Sequence, residues 1–214
     1  SRNPHFLNNI GLSHFKLNNF KEAENYFKRG LEEAPKYISI LNNLGNLKSY
    51  LNSNSSAIDY FKKILEINDK LVEPYYNLAI IYEALGEFEK SSECLKKILD
   101  LNPKFTDADR KLSIMTKYSN NHPHYTRIKD KLENIKLNEL QKSHLYFALG
   151  KYFEDINDFE KSFINYSYGN KIIKKVTNYK IQEEENEFTK IKNFNYKNLG
   201  IVNKDNSRKL IFIV

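Results

Sequence analysis

A repeat of 34 residues constrains this chain more than any other feature. Segments starting at Pro4, Ile38 and Val72 align without gaps. Self-similarity at that period means a stack of like units, each covering its neighbour, rather than one closed core. Position 4 of the three units is Leu7, Leu41 and Tyr75, and position 7 is Ile10, Leu44 and Leu78. These lie one helical turn apart and make an apolar stripe on a first helix. Position 8 is Gly11, Gly45 and Ala79, and position 20 is Ala23, Ala57 and Ser91. Small residues there let two antiparallel helices cross closely. Position 24 is Phe27, Phe61 and Leu95, a large apolar group aimed at the next unit. Position 32 is Pro35, Asp69 and Pro103, and proline ends a second helix because it lacks the N–H and disfavours helix before it. The turns between the two helices read Leu17-Asn18-Asn19-Phe20, Leu51-Asn52-Ser53-Asn54 and Leu85-Gly86-Glu87-Phe88.

Over residues 4–105 this pattern resembles the tetratricopeptide family. The resemblance implies an all-α fold, a right-handed superhelix of antiparallel helical hairpins that binds partners rather than doing chemistry. One departure is at position 27, small in the family, where Ile64 and Ile98 stand. Wider packing is expected in the second and third hairpins.

A fourth hairpin is recognisable from Ser143, with Tyr146, Leu149 and Gly150 on its first helix and Ser162, Tyr166 and Gly169 on its second. Its register is slipped by four residues from a strict continuation. The expected organisation is therefore three hairpins over 1–105, an irregular helical unit over 106–142, a fourth hairpin over 143–176, and a helix and linker over 177–209. Within the irregular unit, helices near 106–117 and 125–135 flank a surface loop, Ser119-Asn120-Asn121-His122-Pro123-His124. The stretch 171–198 reads as charged helix, with Glu183, Glu184 and Glu185 as a solvated face.

The last residues, Leu210-Ile211-Phe212-Ile213-Val214, form an unbroken, β-branched apolar run after a polar turn. Such a run reads as a strand buried on both faces. Residues 210–214 are thus expected to begin an α/β domain that the chain does not contain; a short terminus packed on the last helices is the competing reading. The region from His144 to Asn170, with Ile211-Phe212-Ile213-Val214, resembles bacterial tetratricopeptide–sulfotransferase proteins. That resemblance implies a parent enzyme using 3′-phosphoadenosine 5′-phosphosulfate, bound by a loop that would follow Val214. No catalytic or cofactor-binding residue is expected within this chain. A stand-alone adaptor, or the scaffold of a glycosyltransferase, are the alternatives.

Other chemistries find little support. The single Cys94 excludes an internal disulfide and fits a reducing compartment, so a cytoplasmic location and a packing role are expected. His122 and His124 alone make a poor metal site. No Gly-rich phosphate loop, HExxH or Ser–His–Asp order occurs. No apolar run is long enough to span a membrane. Net charge is +7, divided unevenly: residues 1–105 carry 14 Lys/Arg and 13 Asp/Glu, residues 106–214 carry 20 and 14. Solvated Lys-rich helices account for this; an anionic partner near the C-terminal half is the sharper alternative. Without zinc spacing, a compact Arg block or an aromatic RNA-binding signature, nucleic acid is not an expected partner.

The expected partner is a protein or extended peptide in the concave groove. Position 6 of the three units is Asn9, Asn43 and Asn77. The position faces the groove, and an Asn there offers a donor and an acceptor to a peptide amide. This ladder is similar to that of protein O-GlcNAc transferases. Flanking candidates are His5, Asn8, Asn42, Asn46, Tyr76 and Glu83. With 28 Asn in the chain, capping or solvated Asn is the alternative. The groove lacks the Lys and Arg cluster with which some tetratricopeptide domains hold a C-terminal carboxylate.

Overall fold

The computed structural model describes residues 2–178 and 181–192. Residues 1–173 and 174–214 form two units. Among the described residues there is no strand, and the first unit is a stack of helical hairpins. The first three hairpins are α1 (Pro4–Lys16) with α2 (Phe20–Glu33), α3 (Ile38–Tyr50) with α4 (Asn54–Ile67), and α5 (Val72–Ala84) with α6 (Phe88–Leu101). Each second helix packs on the first helix of the next hairpin, α2 on α3, α4 on α5 and α6 on α7 (Thr106–Met115). α8 (Pro123–Asn134), α9 (Glu139–Asp155) and α10 (Phe159–Val176) follow. α11 (Ile181–Lys192) lies in the second unit.

The crossing of each hairpin is set by one pair sixteen residues apart. A Cβ on Gly11 would come within 2.5 Å of the Phe27 ring, one on Gly45 within 2.7 Å of Phe61, and one on Gly150 within 2.6 Å of Tyr166. Those aromatic rings occupy the space that a side chain at position 8 would need. In the third hairpin position 8 grows to Ala79 and its partner shrinks to Leu95, and the two share one buried cluster. The swap conserves volume, the kind of core change tolerated best. Position 20 follows a second rule. Where it is Ala23 or Ala57 it is wholly buried. Where it is serine, the buried hydroxyl donates to the carbonyl of the position 8 residue, Ser91 Oγ to Ala79 O and Ser162 Oγ to Gly150 O, each at 2.9 Å. The hydroxyl thus enters the core with its hydrogen bond made.

The hairpin turns share one backbone solution. Asn18, Asn52, Gly86 and Asn157 all take positive φ, between 55° and 74°. Each stands two residues past the end of a first helix, just after its C-cap residue. At the first turn Asn18 N–H donates to Phe15 O and Asn19 N–H to His14 O, and the other three repeat the scheme. These paired bonds close the orphan carbonyls of a helix end. Asparagine tolerates left-handed backbone better than other residues with a side chain. Part of the chain's asparagine therefore has a structural task at its turns.

Position 27 does not require wider packing. A Cβ on Gly30 would meet Ile40 Cδ1 at 2.4 Å. Ile64 and Ile98 are both fully buried. The residue ten further on is smaller in these hairpins, Pro74 and Ala108 in place of Ile40. A large residue on one helix is met by a smaller one on its neighbour.

The irregular unit departs from the sequence expectation in several ways. α7 begins at Thr106, 34 residues after Val72, so the repeat register runs into it. It ends at Met115. α8 begins at Pro123, not near 125, because proline suits the first helical position and the His122 ring accepts from His124 N–H as N-cap. His124 is buried rather than lying in a surface loop. α9 begins at Glu139, four residues before Ser143, behind a capping box of Asn138 and Gln141. Its 17 residues exceed the 13 of the regular first helices, and the extra turn absorbs the slip in register. α7 packs on α9 as well as on α6, and α8 also lies on α9.

Position 4 of this unit is Asp109, where earlier hairpins have apolar or aromatic residues, and it is completely buried. Lys131 Nζ donates to both its oxygens, and His124 Nε2 lies 3.1 Å from Oδ1. The other ring nitrogen of His124 is 2.6 Å from the Tyr118 hydroxyl. This arrangement joins α7 to α8 through polar groups, each with a partner, as buried ions require.

The expected strand at 210–214 and the linker before it lie outside the described residues. Of the acidic run, Glu185 is exposed on α11.

Candidate functional site

The candidate residues sit on the first helices α1, α3 and α5, and polar side chains there and on α7 bond from one hairpin to the next. Asn43 Nδ2 donates to Asn8 Oδ1 at 2.8 Å, and Asn77 Nδ2 to Asn46 Oδ1 at 3.3 Å. Asn42 Nδ2 donates to Glu73 Oε1 at 2.8 Å. Further along, Tyr76 OH donates to Asp107 at 2.7 Å and Lys111 Nζ to Glu83 at 3.1 Å. Thr106 Oγ1 and His144 Nδ1, 3.1 Å apart, carry the series to α9. Asn9 instead turns toward His5 of its own helix, at 3.5 Å.

The candidates are therefore not one uniform row. Asn8, Asn42 and Asn43 come together in a cleft of about 540 Å³ with Leu12, Ile38 and Glu73. Asn46 and Asn77 form a second polar pair, and Tyr76 belongs to the Asp107 group. Each Asn–Asn bond uses one donor and one acceptor, so Asn43 Oδ1 and Asn77 Oδ1 keep acceptor capacity. The bonds between hairpins also fix the side chains in place.

Electrostatics separates the two ends of the row. Burial pushes the Tyr76 hydroxyl up to about 12, and the Asp107 carboxylate beside it adds to the rise. Burial opposes ionisation of Asp107, but the Tyr76 hydroxyl and the Arg110 guanidinium outweigh it and hold the carboxyl below its usual range. Burial lowers His144, favouring the neutral ring.

Arg110, Lys111, Asp107 and Glu73 were not among the candidates drawn from sequence. Arg110 and Lys111 occupy positions 5 and 6 of the fourth unit, the places of Asn8 and Asn9 in the first. The 34-residue register, carried one unit further, points to them. The apolar signature at position 4 that would have flagged the unit is replaced by Asp109.

Tyr118, His124 and Asp109 form a hydrogen-bonded chain, but Tyr118 is only 4% exposed and closed to a substrate. Burial pushes the Cys94 thiol up to about 11, away from the thiolate that nucleophilic chemistry uses. Among the described residues no group of three or more His, Cys, Asp or Glu could hold a metal ion. None of the described helices is long and apolar enough to cross a membrane.

Known proteins place the fold. Models of the tetratricopeptide repeat match residues 5–37, 38–71 and 72–105. No curated protein sequence matches the chain. Among solved structures, MamA protein superposes with a TM-score of 0.62 at 18% identity, over 83% of this chain and 95% of that one. YrrB, described as a tetratricopeptide protein with an unusual peptide-binding site, gives 0.59 at 15% identity over 78% and 84%. The first tetratricopeptide domain of Spaghetti, bound to an HSP90 peptide, gives 0.50 at 19% identity over 54% and 91%. At these identities the likeness is one of fold, a superhelix of helical hairpins. The three matches adjoin without a gap, and residues 5–105 of this chain are an array of tetratricopeptide repeats.

Proposed function

We propose that this chain is a binding scaffold that holds a protein segment in extended form along α1, α3, α5 and α7. The observation that carries the reading is the series of bonds between hairpins. It fixes the Asn8–Asn43 and Asn46–Asn77 pairs one repeat apart, each with donor and acceptor capacity left over. An extended backbone offers alternating N–H and C=O groups that such amides complement. Fixed side chains lose little entropy when a ligand arrives. Two proteins of the same fold, YrrB and the Spaghetti domain, are described as binding peptides.

The test uses a library of randomised heptapeptides with blocked ends. Replacing Asn9, Asn43 and Asn77 together by Ala weakens retention of the library, while circular dichroism shows unchanged helicity. Undiminished retention by the folded triple variant would contradict the reading.

A second reading makes the array the recruiting part of a sulfotransferase that uses 3′-phosphoadenosine 5′-phosphosulfate. It rests on the resemblance of His144–Asn170 and Ile211–Val214. The residues encoded after Val214 test it: a Gly-x-Pro-Arg-Ser-Gly-like loop supports the enzyme, a stop codon the stand-alone adaptor.

A further inference from the structure

The cleft shared by α1, α3 and α5 has a chemical character that the repeat pattern does not dictate. Its walls include the aliphatic side chains of Leu12, Ile38 and Val72, and its polar groups include Asn42 and Glu73. Glu73 accepts from Asn42 and, among the described residues, has no ion-pair partner. This sets it apart from Glu83 and Asp107 further along the row, which are paired with Lys111 and Arg110. The second oddity is Asn42 itself. Its Nδ2 is committed to Glu73, and its Oδ1 is shielded from solvent with no donor. Turning the amide over would set oxygen against the Glu73 carboxylate, so the orphan follows from that bond. A buried acceptor without a partner is uncommon and costs free energy until a donor reaches it.

We infer that this cleft is the specificity subsite of the groove and takes a lysine or arginine side chain of the bound segment. The inference rests on the peptide-binding reading above and names which residue of the peptide is selected. The aliphatic stem of the incoming side chain lies on Leu12, Ile38 and Val72, as long basic side chains do on apolar surface. Its cationic head meets the unpaired carboxylate of Glu73. The Asn42 amide, whose terminal torsion is soft, rotates to bring Oδ1 onto an N–H of the ligand. A ligand rich in donors answers both the solvent-exposed carboxylate that has no ion-pair partner among the described residues and the orphaned acceptor. An acidic side chain meets like charge there. A neutral apolar one leaves both unanswered.

Glu73 also stands in the first turn of α5, where a carboxylate favours the helix. The test must therefore read selectivity rather than affinity alone. The probe is the same blocked heptapeptide library, synthesised with the central residue fixed as Arg, Lys, citrulline, Glu or Ala. On the wild-type chain the Arg and Lys libraries bind about two- to fivefold more tightly than the citrulline library, the range of an exposed charge pair, and the gap closes as salt is raised. In Glu73→Gln, which keeps the shape and the bond from Asn42, the Arg and Lys libraries bind no more tightly than the citrulline library. Asn42→Ala reduces the preference without abolishing it. Circular dichroism and thermal melts establish that both variants are folded. Binding indifferent to the central residue, or a preference that survives in Glu73→Gln, overturns the subsite and leaves the peptide reading standing. Absence of binding by every library overturns both.

Discussion

Lys131 donates to both carboxylate oxygens of Asp109, at 2.9 and 2.7 Å, and the two side chains are 6% and 0% exposed. An ion pair thus occupies a place where the preceding hairpins use Leu7, Leu41 and Tyr75. Removing one partner of a buried pair leaves a charge in a medium that cannot solvate it. Lys131→Met should therefore cost about 3–5 kcal/mol in urea unfolding. Asp109→Leu should cost a similar amount, since it strands both Lys131 and the ring Nε2 of His124. The double variant is predicted to lose less than the sum, with a coupling of about 0.5–3 kcal/mol. Strict additivity would show that the pair is not the unit that joins α7 to α8.

The helix crossings lead to a second prediction. Gly45→Ala places a methyl 2.7 Å from the Phe61 ring. The alanine favours helix by about 1 kcal/mol, but overpacking a closed core costs about 1–3 kcal/mol, so the variant should be less stable on balance. Adding Phe61→Leu recreates the Ala79–Leu95 pair of the third hairpin and should recover much of the loss. Thermal melts of the two single variants and the double variant check this. A double variant no more stable than Gly45→Ala would rule out the pairing rule.

The small residues at position 8 and the large ones at position 24 were legible in the sequence because they recur from repeat to repeat, but position 24 was expected to reach into the next unit, and its closure over position 8 of its own hairpin was not legible. The turns were legible from the same recurrence, although periodicity alone did not show that Asn18, Asn52 and Asn157 carry left-handed backbone. The interior of residues 106–142 was not legible. Its register is intact at Thr106, but an aspartate stands at the position where an apolar side chain announces the repeat. Its partner Lys131 is 22 residues away on a different helix, which no spacing within one helix reveals. The candidate asparagines were legible as a row. Their bonds to one another were not, because a hydrogen bond between successive helices depends on side-chain direction that spacing does not fix. Glu73 went unnoticed because its significance lies in lacking a basic partner.

Acid should expose a third feature. Burial opposes ionisation of Asp155, yet bonds from Lys151, the Tyr118 N–H and Lys117 outweigh it and hold the carboxyl at about 2. A depressed carboxylate stabilises the fold above its unfolded value of 3.8, and the contribution is lost as the pH falls through about 2. Urea midpoints should fall between pH 4 and pH 2 with a slope that Asp155→Asn flattens. An identical slope in the variant would show that the carboxylate makes no such contribution.

The central claim is that ligands lie along the first helices. Amide chemical-shift mapping of the isotope-labelled chain, titrated with the blocked heptapeptide library, tests it most directly. The account predicts shifts concentrated on α1, α3, α5 and α7, centred on Asn8, Asn42, Asn43 and Glu73, with α2, α4 and α6 little changed. Shifts confined to the second helices, or no shifts at saturating library, would contradict it.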